Sequence, residues 1–219
     1  MGDRTSQRFQ VHTTGAGNRG SKLFTLLFGG AIVLVGGGGY WFYSDTDGQI
    51  GHVRARDRLA TISAHALGMR GVPAQAEQPL LDALEQGDPP LRAASARALG
   101  TLGKEEMVAF LGNRATTDPV AEVRVAALEA LTQNGVAMPS SRWLGQALSD
   151  RDDKVKVAAC RAVGELGLEH LAFDVIPHLN YHERKVVAAA QAALEKLSGT
   201  TCGTDTLAWN KLFEERRGR

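Results

Sequence analysis

A nine-residue pattern returns five times along this chain. It reads "LATISAHAL" at 59–67, "LRAASARAL" at 91–99, "VRVAALEAL" at 123–131, "VKVAACRAV" at 155–163 and "VVAAAQAAL" at 186–194. The starts lie 32, 32, 32 and 31 residues apart, and each copy is followed at a matching interval by Gly71, Gly103, Gly135, Gly167 or Gly199. Self-similarity at a fixed period of this size marks an array of stacked supersecondary units, none of which buries its apolar face alone. Apolar residues make up 43% of the chain and aromatics only 6%. That balance suits closely packed Ala-rich helices better than a sheet sandwich, which favours β-branched and aromatic residues.

Each unit reads as two helices. In the third, Asp118 is a suitable N-cap with Pro119 in the first turn. Val123, Ala126, Ala127, Ala130 and Leu131 then follow the i, i+3, i+4, i+7, i+8 spacing of one apolar face, and Gly135 closes the helix. A shorter helix starts at Ser140 or Ser141, with Trp143, Leu144 and Leu148 as its apolar positions. Leu99, Leu131, Val163 and Leu194 hold equivalent places and are expected at equal depth. The second residue of the pattern is basic in the three middle units, at Arg92, Arg124 and Lys156, but Ala60 and Val187 in the outer two. Acids at Asp88, Glu122 and Asp152 or Asp153 precede them. The spacing predicts a ladder in which each basic side chain reaches the next unit's turn acid, lost in the end units because they lack a neighbour.

A second signal stands near the start. "LFTLLFGGAIVLVGGGGYWFY", residues 23–43, runs 21 residues without a charge. As helix it would measure about 31 Å, the thickness of a bilayer's hydrocarbon core. Tyr40, Trp41, Phe42 and Tyr43 suit the headgroup boundary. Residues 1–22 carry a net charge of +3 and the remainder −2. With Arg19 and Lys22 before the run and Asp45 and Asp47 after it, the charges predict an N-terminus inside and the C-terminal part outside.

The D-P-x-x-x-V-R-x-A-A-x-x-A-L pattern, with glycine at the helix end, resembles HEAT repeats, nearest to the short bacterial type grouped with phycobilisome-lyase HEAT-like repeats. The resemblance covers residues 53–199. The tail also resembles one found on bacterial HEAT arrays, through Leu197, Ser198, Gly199, Gly203, Asp205 and Trp209. The resemblance implies an all-α solenoid of about five repeats. The expected organisation is therefore a basic tail at 1–22, a transmembrane helix at 23–43 and a linker at 44–52. The solenoid at 53–199 follows, and a capping segment at 200–219 in which Asp205 caps a last helix and Trp209, Leu212 and Phe213 cover the open end.

Catalytic motifs are not apparent in the sequence. His170, His178 and His182 include an i, i+4 pair, but Pro177 precedes it and no third ligand is secured. Cys160 and Cys202 are too few for a framework, and whether they bridge stays open. The net charge of +1 gives no ground for a nucleic-acid partner. No metal or cofactor is expected. The function expected on these grounds is non-enzymatic: a scaffold, accessory subunit or assembly factor of a membrane complex. It would be held in a bacterial inner membrane by residues 23–43, with its C-terminal domain periplasmic. The alternative is a bilin-lyase-like or metal-dependent HEAT-repeat enzyme. Solenoids grip protein partners along a groove, and the shorter helices are expected to line it. Arg142, Trp143, Gln146, Phe173, Asp174 and His178 are then the candidate contacts. For Trp143, a binding hot spot and ordinary packing between helices are both open.

Overall fold

The computed structural model describes residues 24–28, 31–36, 39–41, 46–57 and 59–218. The chain divides into two compact units, Met1–Gly48 and Gln49–Arg219. The expected basic tail at 1–22 lies outside the described residues.

In the first unit the sequence expectation is corrected. Residues 23–43 do not form one long helix. Their described residues make an antiparallel sheet of β1 (Phe24–Phe28), β2 (Ala31–Gly36) and β3 (Gly39–Trp41), in the order β1-β2-β3. Phe24 pairs with Val35 and Phe28 with Ala31, while Leu34 pairs with Trp41 and Gly36 with Gly39. The reason is visible in the glycines. Gly29-Gly30 and Gly37-Gly38 stand between the strands in the sequence, and Gly-Gly between apolar runs is a two-residue hairpin signal, whereas glycine inside a helix costs about 1 kcal/mol relative to alanine. Among the described residues no helix is long and apolar enough to cross a membrane. The single-pass anchor and the bilayer partner assigned to residues 23–43 therefore lose the helix on which they rested.

The second unit is helical and built as two rows. After α1 (Thr46–Ala55), one row holds α2 (Ala60–Arg70), α4 (Pro89–Gly100), α6 (Ala121–Asn134), α8 (Asp153–Glu165) and α10 (Arg184–Ser198). These are the five copies of the recurring pattern, and each packs on the next. The other row holds α3 (Ala74–Gln86), α5 (Glu105–Thr117), α7 (Ala137–Leu148) and the short α9 (Ala172–Val175). Around α9 the row breaks into 3₁₀ turns at Glu169–Leu171 and Ile176–Asn180, where Pro177 removes a backbone donor. Each helix of this second row packs chiefly on the helix that follows it: α3 on α4, α5 on α6, α7 on α8. The unit is thus a short helix leading into a pattern helix, a phase opposite to that read from the sequence.

Leu99, Leu131, Val163 and Leu194 are all fully buried, at equivalent depth. Gly135 and Gly199 close their helices in the left-handed conformation, at φ 76° and 72°, which a side chain disfavours. At the far end α11 (Thr206–Arg217) starts on Asp205, whose carboxylate accepts from the Leu207 and Ala208 amides. Trp209 is fully buried, donates its indole N–H to the Gly203 carbonyl at 2.9 Å and stacks on Phe213. Both cysteines are free. Burial pushes the Cys160 thiol up to about 12, so it carries no thiolate at neutral pH.

Candidate functional site

Two features run along the row of pattern helices. At their N-terminal ends lies a buried ladder. Arg92 forks onto Asp118, its Nε 2.8 Å from Oδ2 and its Nη2 2.9 Å from Oδ1. Arg124 does the same to Asp150, at 2.8 Å for both bonds. Arg124 also donates through Nη1 to the Asp118 carbonyl at 2.9 Å, so successive rungs touch. Burial opposes ionisation of Asp150, but the Arg124 fork and the Asp152 amide outweigh it and hold the carboxyl below its ordinary range.

Each acceptor belongs to the following unit's turn, and it is not the acid that precedes each basic residue in sequence. Asp88 instead caps α4 through the Leu91 amide, Glu122 takes Lys154 at 3.2 Å, and Asp152 caps α8. Asp118 is not the N-cap expected of it. Its helix begins at Ala121, and its carboxylate accepts from Arg92 and the Val120 amide. In the next rung His182 holds the place of Asp118 and Asp150. Lys156 consequently turns back to Asp153 at 2.9 Å and lies 4.8 Å from the Tyr181 ring centroid. Burial works against its charge, while hydrogen bonding to Tyr181 and Asp153 raises its pKa.

Over the exposed face of α8 runs a groove of about 680 Å³. Val125, Glu129, Thr132 and Gln133 of α6 wall one side, Val157, Ala158 and Arg161 of α8 form its floor, and Lys185 at the start of α10 closes the other. Its size falls in the range of ligand-binding clefts.

None of the partner residues expected from the sequence lines this groove. Arg142, Trp143 and Gln146 stand on α7 in the other row, Phe173 and Asp174 on α9, and His178 in the 3₁₀ turn after it. Trp143 lies half-buried against the backbone of Gly112, where no Cβ would fit, and the Arg142 guanidinium sits 4.9 Å from its ring centroid. Phe173 meets Phe213 edge-on at 6.4 Å and lines a smaller cavity of about 380 Å³ with Glu169, His170, Arg216 and Arg217. The His178 Nε2 is 2.9 Å from the Leu148 carbonyl, and burial lowers its pKa despite that bond. Among the described residues no group of His, Cys, Asp and Glu is arranged to hold a metal ion.

Residues 50–132 match the family model described as HEAT repeats. The two helical rows define the class as an α-solenoid, of which residues 50–132 carry the likeness to HEAT repeats. A solved structure extends the likeness further along the chain. It is similar, at 25% identity and a TM-score of 0.61, to a chain in the complex of CpcE and CpcF of phycocyanin lyase from Nostoc sp. PCC7120, over 77% of this chain and 68% of that one. No curated protein matches. The likeness to a lyase subunit overturns the expectation of a non-enzymatic module and points to an enzymatic role.

Proposed function

We propose that this solenoid is the substrate-gripping subunit of a lyase-type enzyme that acts on a protein, and that it grips its substrate along the face formed by α6, α8 and the start of α10. The observation that carries this reading is the extent of the likeness: more than three quarters of the chain shares its fold with one chain of a two-subunit phycocyanin lyase complex. The groove of about 680 Å³ on that face supplies a place for the substrate. A solenoid presents much surface for its mass, because each unit contacts only its neighbours. In this reading the substrate-holding part of the work falls to this chain, and the groove beside α8 is where it is done.

The test is a chromophore assay. The full chain, purified with whatever solenoid subunit remains bound to it, is incubated with phycocyanin and, separately, with pigment-free phycocyanin and free bilin. Covalent pigment is read from the visible absorbance of the denatured protein. A rise or fall above the enzyme-free control is expected. Unchanged covalent pigment in both directions would overturn the proposal.

A further inference from the structure

Of the four junctions between successive pattern helices one departs from the others, and the groove lies beside it. Near the C-terminal ends of the pattern helices, a glycine lets each helix close on the next. A Cβ added to Gly68 would lie 3.0 Å from the Ala98 Cα, one on Gly100 would lie 2.7 Å from the Ala130 Cα, and one on Gly164 would lie 2.9 Å from the Ala193 Cα. At those distances a side chain fits only if the facing backbone gives way. In α6 the same position of the pattern is Thr132, opposite Ala162. Its hydroxyl donates to the Leu128 carbonyl at 2.9 Å, and it carries a Cβ and a methyl where the other three junctions carry a glycine. The helices α6 and α8 pack less intimately than their neighbours, and the groove opens beside Thr132. At its other end the same junction is pinned by the Arg124–Asp150 fork and by Lys154 on Glu122.

The charges along the groove are unevenly satisfied. Glu129 takes Arg97 at 2.9 Å, Asp153 takes Lys156 at 2.9 Å and Glu165 takes Lys196 at 2.5 Å. The Glu183 carboxylate accepts from the Lys185 amide, and Lys154 is engaged by Glu122. Arg161 and Lys185 are exposed, and their side chains meet no acceptor among the described residues. Between them lies the apolar floor of Val157 and Ala158, with Val125 on the α6 wall. Every lining carboxylate already has a donor, whereas two lining cations stand open.

We infer that the α6–α8 groove takes an extended acidic segment of polypeptide, with an apolar side chain on the valine floor and carboxylates on Arg161 and Lys185, and that Thr132 is the residue that keeps the groove open to it. This rests on the proposed function and names the chemistry of the part of the substrate that is gripped. An extended chain suits an open groove spanning three helices, and complementary charge sets its register and favours it over basic or neutral segments.

The experiment uses the full chain and fluorescein-labelled hexapeptides of alternating glutamate and leucine, with lysine–leucine peptides as controls, read by fluorescence anisotropy. The acidic peptide binds and the basic one does not. Charge reversal at the exposed pair, R161E with K185E, weakens binding by at least about tenfold, the scale of losing desolvated charge contacts. Thr132→Gly closes the junction and weakens binding comparably. Thr132→Ala keeps a Cβ in the gap and stays within about twofold, because a Cβ alone already prevents the close approach of the other junctions. Equal binding by the charge-reversed protein, equal binding of the basic peptide, or displacement by free glutamate at the peptide's own concentration would each overturn the inference. The two proposals fail separately. Pigment transfer that survives R161E with K185E sinks the acidic segment and leaves the lyase role standing. Peptide binding without any change in covalent pigment does the reverse.

Discussion

The junction between α4 and α6 and the junction between α6 and α8 have the same ladder rung at one end and opposite outcomes at the other. Arg92 on Asp118 and Arg124 on Asp150 are built alike, atom for atom. Eight residues after each arginine, the first junction has Gly100 against Ala130 and the second has Thr132. The first closes until a Cβ would collide, and Arg97 reaches Glu129 across it. The second leaves a groove, and Arg161, one unit on from Glu129 in the same register, has no ion-pair partner among the described residues. In a repeat array the pattern specifies the stack, and a single departure from the pattern specifies where the stack offers a site.

The comparison breaks most visibly at the shared rung. Arg124→Ala takes the guanidinium from Asp150 and is expected to cost about 3–5 kcal/mol, the scale of removing one partner of a buried pair; Arg92→Ala is expected to cost less, because Arg114 stays 4.0 Å from the buried Asp118 carboxylate. Chemical denaturation monitored by circular dichroism measures it. A loss below about 1 kcal/mol, typical of an exposed pair, would show that the rungs are surface decoration. The buried leucines come next. Leu99→Ala and Leu131→Ala are expected to lose about 2–5 kcal/mol each through lost transfer energy and a cavity, and a loss under about 0.5 kcal/mol at either would break the register of the two rows.

The contrast itself is sharpened by smaller changes. Gly100→Ala drives a methyl into the Ala130 backbone and is expected to cost about 1–3 kcal/mol as an overpacked contact. Thr132→Ala at the equivalent site is expected to stay within about 0.5 kcal/mol, since it trades a local hydroxyl bond for better helix propensity. Equal effects at the two positions would mean that the junctions do not differ. The smallest effect is electrostatic. The Asp150 pKa is depressed in the folded chain, so its contribution is complete above the unfolded carboxylate value, about 3.9, and is lost as pH falls through the lower folded value. Acid titration of stability should therefore steepen below about pH 4 in the native protein and flatten there in Arg124→Ala.

Much of this architecture was legible in the sequence. The period, the closing glycines, the buried leucine series and the Asp205–Trp209 cap all follow from local rules, because each is decided within a turn or two of helix. What escaped depends on which distant element a residue faces. Asp118 has the sequence context of a cap, and only the packing shows that a guanidinium 26 residues earlier takes its carboxylate. The pairing of each short helix with the pattern helix that follows it depends on the same distant packing. At residues 23–43, hydropathy is equal for a strand and a helix, and the glycine pairs at 29–30 and 37–38 were the overlooked turn chemistry. The contacts expected from the sequence stand on the other row, and the groove beside α8 is a separate feature. Its signal was nonetheless present in one column of the alignment of repeats, where Gly68, Gly100 and Gly164 are interrupted by Thr132.

The ladder also bears on how such an array changes length. Arg92 and Arg124 each find their aspartate 26 residues ahead, and neither rung carries a mark of which unit it joins. Excising residues 93–124 would deliver Asp150 to Arg92 in the same register. Loss or duplication of one whole unit is silent at that end of the helices, while a shorter insertion between an arginine and its aspartate leaves a buried guanidinium and a buried carboxylate apart. Within the laddered units, gene rearrangement is therefore tolerated between those partners only in whole steps. The groove has no such protection: Thr132 stands in a single unit, and a step that removes that unit removes the site with it.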